Sequence, residues 1–325
     1  MTAPQDYAPS NGYFGLGVET AWDTPVVPGF WIPYKEWSWD PTLKWLADDS
    51  ISGSPVVTRD LVPGVNYSKF SLKHKLFLDS IGNMLRGVFG GTDTVTGTGP
   101  YTHTIKLLNN SATASQPPSY TLDFFDGSVV RQVAGCRMPS LNITWSADGT
   151  VDCTSSFIGM PFTSPSAPTN TQSTAHMVPG WGVTISVSGT SSLTIVSGSL
   201  DITRVGTDPI FTGTNQQSPH NVFSGPLQIK GKGKFLIESG DSTFSYANAL
   251  SRDQQATVLT FNEPVSAGTL AFTLTNTQFM DPKPDLSKKW LLADCTFEGV
   301  ADSTDASSGI SPGAVVLVNA QSTAY

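Results

Sequence analysis

Every second residue is apolar in run after run of this chain: Tyr120–Phe124 reads YTLDF, Ser140–Trp145 SLNITW, Val183–Val187 VTISV, Leu193–Ile202 LTIVSGSLDI and Leu270–Leu274 LAFTL. Side chains two apart on an extended backbone share a face, so this period dictates strands with one buried face and one wet face. Helical spacing is convincing at two places. In DSIGNMLRGVFGG, Ile81, Met84, Leu85 and Val88 fall at i, i+3, i+4 and i+7, with Asp79 placed as N-cap and Gly90-Gly91 as the stop. In DSTFSYANALSRD, Asp241 takes the cap position and Phe244, Ala247 and Leu250 share a face less strongly. With 30 Gly and 23 Pro in 325 residues and only 14% charged side chains, turns are frequent and Ser, Thr and Gly fill the surface. The expected class is all-β with minor α.

The same elements recur in the same order. KFSLKHKLFL precedes the first helix (79–90) and LQIKGKGKFLI precedes the second (241–251). YTLDF in the first half is answered by VLTFN at 258–262, and each half closes on one word, VDCTSSFIG at 151–159 and ADCTFEG at 293–299. A strand, a capped helix, a strand and an Asp-Cys-Thr strand ending in Gly point to duplication, the first copy carrying an extra loop mostly within 90–118. The expected organisation is an N-terminal arm at 1–12, a first β domain at 13–160 and a linker at 161–180. A second β domain at 181–301 and a C-terminal arm at 302–325 complete it. The join, PFTSPSAPTNTQSTAHMVPG, has linker composition. The apolar GAVVLV near the C-terminus needs an edge to pair with, in its own sheet or on a neighbour.

Charge and motif searches remove most function classes. A net charge of −8 leaves no basic face for gripping nucleic acid. Cys136, Cys153 and Cys295 form no CxxC and sit in strand-like runs, so they read as buried free thiols. No basic region followed by an apolar stretch marks a signal peptide, and no apolar run is long enough to span a bilayer, so a soluble protein made in a cytoplasm is expected. His74, His103, His176 and His220 are scattered, with no zinc spacing, and read as surface or hydrogen-bonding residues. No GxSxG elbow and no phosphate loop is present, and Asp48-Asp49 reads as solvated loop acids rather than a glycosidase pair. Neither an enzyme nor a cofactor or metal site is expected. Trp31, Trp37, Trp39 and Trp45 crowd into fifteen residues, which fits an inter-subunit interface, a core, or a sugar-binding platform.

The opening GLGVETAWDTPVVPGFWIPY resembles the N-terminal signature of the major tail tube proteins of long non-contractile-tailed bacteriophages. In that family a Gly-x-Glu-Thr-x-Trp-Gly-Thr-Pro segment leads into the first strand. Gly17, Glu19, Thr20, Trp22, Thr24 and Pro25 fit the pattern, while Asp23 replaces the usual glycine. PYTHTI (100–105), PSYTLDFFDG (118–127) and AGCRMPSLNITWSADGTV (134–151) are similar to the family's middle section. The resemblance covers about residues 12–160 and reaches the second half mainly through the repeat.

It implies two tandem tail-tube-type β-sandwich domains, each with one flanking helix, whose inner sheets join those of neighbours into an inter-subunit β-barrel. It implies a virion tail protein assembled in the host cytoplasm, stacking as rings into a hollow tube that passes viral DNA without binding it specifically. A duplicated subunit would close a pseudo-hexameric ring from three chains; six chains are needed if the second half is a decoration domain. Implied partners are other copies of the chain, a tape-measure protein, a tail-tip initiator and a tail terminator. Residues 36–66 are expected to form a projecting hairpin or loop. The candidate inter-subunit contacts are Trp22, Trp31, Trp37, Trp39, Trp45, Leu46, Asp48 and Asp49. The alternatives are a carbohydrate-binding β-sandwich module, reading glycans through Trp37, Trp39 or Trp45, and a minor tail or tail-tip structural protein.

Overall fold

The structure is a computed structural model and describes residues 8–51, 53–109, 116–213, 216–237, 254–286 and 289–325. The first half contains β1 (Tyr13–Val18), β2 (Phe30–Ile32), β3 (Tyr34–Asp48), β4 (Asp60–Lys75), α1 (Ile81–Phe89), β5 (Thr94–Thr96), β6 (Tyr101–Ile105), β7 (Tyr120–Phe125), β8 (Val130–Ser146) and β9 (Asp152–Gly159). The second contains β10 (Val183–Val187), β11 (Thr190–Leu193), β12 (Ile195–Arg204), β13 (Asp208–Ile210), β14 (Asn221–Phe223), β15 (Leu227–Leu236), β16 (Gln255–Asn262), β17 (Thr269–Asp285), β18 (Leu292–Val300) and β19 (Ala314–Asn319).

Strand pairing follows one order twice. In the first half β3 pairs with β4, β4 with β9 and β9 with β8; β8 also pairs with β7, which carries β1 and then β2. In the second half β12 pairs with β15, β15 with β18 and β18 with β17; β17 also pairs with β16, which carries β10 and then β11. The long strands β8 and β17, each 17 residues, take the same part: the N-terminal portion serves one layer and the C-terminal portion the other. Each shifts register mid-strand against its partner, between Arg137 and Ser140 and between Met280 and Lys283. A bulge there bends the strand and lets it change sheet.

Between the halves, β12 pairs with β8 from Ser140↔Thr203 to Ser146↔Ser197. One antiparallel sheet of eight strands results, in the order β3-β4-β9-β8-β12-β15-β18-β17. Its inner face meets the layer built on β1 and β7: Phe14 lies 6.3 Å from Phe157, Phe70 6.2 Å from Phe124, and Trp37 3.7 Å from Phe124, between ring centroids. In the second half Trp145 meets Phe261 at 5.4 Å and Phe261 meets Phe272 at 6.1 Å. Each fully buried ring is worth about 2–3 kcal/mol relative to exposure, which is why the alternating pattern specifies face and register so firmly.

In α1, Ile81, Met84, Leu85 and Val88 are buried as their spacing predicts, and Gly90 ends the helix at φ 77° with its N–H on the Arg86 carbonyl at 2.7 Å. The start differs from expectation. Ser80, not Asp79, holds the N-cap position, and it makes no side-chain cap. A main-chain turn does the work instead, with Ile81 N–H on Phe77 O at 3.1 Å, and the Asp79 carboxylate accepts from Ser173 Oγ at 2.5 Å. Beyond Phe89, the buried Arg204 of β12 donates to the carbonyls of Val88, Phe89 (2.9 Å) and Gly225 (3.2 Å). A side chain from the second half therefore caps the C-terminus of the helix in the first. The helix expected at 241–251 lies outside the described residues.

Residues 302–325 are not an arm. β19 pairs with β17 along one edge, from Thr269↔Val318 to Thr273↔Ala314, and with β6 along the other, from Ile105↔Val315 to Tyr101↔Asn319. Tyr325 is 4% exposed, packs where a side chain on Gly82 would stand, and donates its hydroxyl to Asp79 O at 2.9 Å. Its N–H meets the Asp93 carboxylate, which also holds buried His103 at 2.6 Å. Apolar alternation and a polar lock at the end leave this segment part of the folded body. The segment 161–180 is irregular, as its composition predicts, but is pinned by bridges at Thr163, Met177 and Pro179.

Candidate assembly surfaces

β3 and β4 outrun the rest of the sheet. The last β4–β9 pair is Ser68↔Gly159, whereas β3 and β4 stay paired out to Asp48↔Asp60. Beyond Ser68 no strand among the described residues flanks the pair. Its register shifts between Leu43 and Trp45, and among the described residues it is braced by Asn66 N–H on Gln217 O at 2.9 Å, by the Gln217 amide on Pro63 O at 3.5 Å and by Tyr67 against Phe211. On this hairpin Leu43, Trp45, Leu46, Ile51, Val56, Val57, Leu61 and Val62 are all exposed, Ile51 fully. A two-stranded ribbon is marginal in water on its own, and these apolar side chains gain no burial within the chain.

The open face of the eight-stranded sheet has the opposite character. Lys69, Ser71, Lys73 and Lys75 of β4 alternate with inward Phe70, Leu72 and His74; Lys230, Lys232 and Lys234 of β15 alternate with inward Ile229, Gly231, Gly233 and Phe235. Carboxylates on neighbouring strands hold most of these lysines: Lys73–Glu36 and Lys75–Asp152 at 2.6 Å, Lys230–Glu298 at 3.7 Å, Lys234–Asp285 at 3.2 Å and Lys234–Asp294 at 3.4 Å. The hydrogen bond from Lys73 draws the exposed Glu36 carboxyl below its ordinary range, and the one to Asp285 raises Lys234. Polarity here is therefore dense but balanced, and the face does not carry the chain's net negative charge.

His74 is buried, its ring hydrogen-bonded to Lys75 O at 2.8 Å and to Ser155 Oγ at 3.1 Å, and burial drops its pKa to about 4. His103 is buried between Asp93 and the Gln321 carbonyl. All three cysteines are free and buried, and burial raises each thiol, that of Cys295 to about 11. No group of His, Cys, Asp and Glu suited to a metal ion and no membrane-length apolar helix occurs among the described residues. A groove of about 420 Å³ on the open face, over Gly198 and Gly233, is lined by Lys232, Asp281 and the ion-paired Lys234 and Asp294.

The profile of the family described as phage tail tube protein matches residues 9–310. The chain belongs to the phage tail tube protein family. No curated protein matches it. In this tail tube protein the opening signature is a packing device. Glu19, 8% exposed, accepts from Gly135 N–H (2.8 Å), Thr121 Oγ (2.9 Å) and Asp23 N–H (3.1 Å), tying the segment after β1 to β7 and β8. Trp22 lies on Gly135, whose φ of 60° suits glycine, and Gly17 leaves room for Val26.

The eight candidate contacts separate into two groups. Trp31 is core, 7% exposed against Tyr13, and leaves the set; Trp22 is half-buried on Gly135. Trp37 and Trp39 are half-buried within the chain, Trp37 on Phe124 and Trp39 between Phe70, Phe162 and Arg131. Trp45, Leu46, Asp48 and Asp49 lie together on the projecting hairpin, where Asp48 accepts from Ser50 N–H at 3.0 Å. Sequence reasoning missed the other apolar hairpin residues, Ile51, Val56, Val57, Leu61 and Val62. The available signal was Ile51, Val56, Val57, Leu61 and Val62 set around Gly53 and Pro55 with no alternation to bury them.

Proposed function

We propose that this protein is a repeating subunit of a phage tail tube, and that one chain supplies two equivalent units of the wall. The observation that carries this reading is the strand order found twice, joined through β8–β12 into a single sheet. Three chains would then close a ring of six similar lobes, with the eight-stranded sheets forming the bore and the β1 and β10 layers outside. Twenty-four strands at about 4.8 Å spacing and about 40° tilt give a barrel roughly 50 Å across, against roughly 95 Å for six chains. Rings stack, and the apolar hairpin of 43–62 supplies much of the contact between copies. The balanced open face would line the channel; with its lysines engaged by carboxylates, passing DNA meets few free cations and does not stall. A tape-measure protein, an initiating tip and a terminator complete the assembly, which takes place in the host cytoplasm.

Electron microscopy of the purified protein over a range of concentrations tests this. Hollow tubes or rings with three chains, six lobes and a β wall near 50 Å are expected. Six chains per ring would overturn the duplicated wall while keeping the tube, and monomers at every concentration would overturn both.

A further inference from the structure

We propose that the outer edge of β17, from Gln278 to Lys283, receives β3 of a second copy of this chain, in the register in which β8 receives β12 within one chain. The proposal rests on the tube reading and specifies the joint that would close it.

The internal junction serves as the template. β8 has β9 on one edge, and on the other, past the end of β7, it has β12. β17 has β18 on one edge, and on the other it has β16 only as far as Gln255↔Thr277. Among the described residues no strand pairs with that edge beyond Thr277, and none pairs with β3 on the edge away from β4. Among the described residues the sheet ends in two edges whose counterparts are joined to each other at its centre. Long unprotected edges are ready templates for pairing with another chain.

The shared Asp-Cys-Thr words align the two halves residue by residue. Thr144 stands opposite Asp152 as Lys283 stands opposite Asp294, and Asn142 opposite Thr154 as Met280 opposite Thr296. Glu36 lies beside Lys73 in β4 as Ser199 lies beside Lys232 in β15, and those lysines lie beside Thr154 and Thr296. At the internal junction Thr144 faces Ser199, Asn142 faces Asp201 and Ser140 faces Thr203. Carried over, Lys283 faces Glu36 of the second copy, Met280 faces Ser38 and Gln278 faces Asp40.

The side chains suit that register. Asn142 hydrogen-bonds Asp201 across the internal junction; Gln278, whose amide donates to Phe279 O at 2.9 Å within the chain, would exchange that bond for one to Asp40 further along. Lys283 has no ion pair among the described residues, while Glu36 is exposed and ion-paired to Lys73. Pro41, directly after Asp40, has no N–H to donate where the ladder ends. Pro282 and Pro284 thin the ladder at the other end, so the Lys283–Glu36 pair does more there to fix register.

Disulfide trapping tests the register. Tubes of the Ser38→Cys/Met280→Cys variant, oxidised after assembly, are expected to give covalent multimers on denaturing gels; Thr42→Cys/Met280→Cys, four residues out of register, is expected to give none. Tubes that form without in-register cross-links, or that cross-link equally in the control, overturn this joint and leave the tube reading standing. Absence of rings and tubes from the unaltered protein overturns both. Charge reversal gives a second readout if the cysteine variants do not assemble. Lys283→Glu should raise the concentration needed for assembly about tenfold, and adding Glu36→Lys should recover most of it. No effect of the single change, or no recovery in the double, overturns the joint.

Discussion

Asp23 sits at φ 58°, in the left-handed region, at the one place where the tail tube signature carries glycine and this chain does not. Its carboxyl is raised by burial and by the Glu19 charge, while its N–H is one of the three donors to Glu19. Asp23→Gly keeps that donor and relieves both costs, so thermal unfolding should show a gain of about 1 kcal/mol. A loss would mean that the aspartate side chain does work the packing does not reveal. His74 gives the complementary case. Burial holds its folded pKa at about 4, against about 6.5 for an exposed imidazole. The unfolded chain takes up the proton first, so the contribution is complete above pH 6.5 and drains as pH falls through 4, by about 3 kcal/mol in all. His74→Gln should flatten the slope of melting temperature against pH across that window; an unchanged slope would assign it to other groups.

The β3–β4 hairpin is the element whose removal separates folding from assembly. Its base packs on the core, Trp37 on Phe124 and Trp39 on Phe70, whereas nearly all the described residues of 44–62 are exposed. Replacing 44–62 by a two-residue Asn-Gly turn should leave the melting temperature within a few degrees of the parent and abolish tubes in electron micrographs. Normal tubes from that variant would exclude the hairpin from the contacts between copies. Elements of this kind were legible in the sequence. Period two is local, so β4, β7, β10 and β15 announced themselves, and the spacing of Ile81, Met84, Leu85 and Val88 announced α1. What the pattern could not announce was partnership. β8 and β17 keep one alternation while changing sheet midway, and nothing in a period of two records such a switch. The lock at Tyr325 depends on Gly82, Asp79 and Asp93, all more than 230 residues away in the chain, a distance at which local patterns are silent. The tryptophans misled for a related reason: composition counts an aromatic without saying which side of a strand it occupies, and Trp31 lies inward.

Across the whole molecule, charge is distributed so that the net value says little about any one face. Lys75 with Asp152, Lys234 with Asp294 and Lys230 with Glu298 turn what would be a basic stripe into a neutral lattice. The triple variant Asp152→Asn/Asp294→Asn/Glu298→Gln frees Lys75 and Lys230 and leaves Lys234 with Asp285 alone. Its tubes should retain duplex DNA at low salt and release it steeply as salt rises, where the parent retains little. Equal retention by both would place the DNA path elsewhere.

Among the contacts that fasten the two halves are the β8–β12 ladder, Arg204 on the end of α1, and β19 laid between β17 and β6. Such a body bends poorly at its middle. In a ring of three, rigid joints inside each chain would alternate with softer ones between chains, and the compliance of the wall would have threefold rather than sixfold symmetry. A tail built this way would flex by opening and closing three seams, and the direction in which it curves would be set by where those seams lie from one ring to the next.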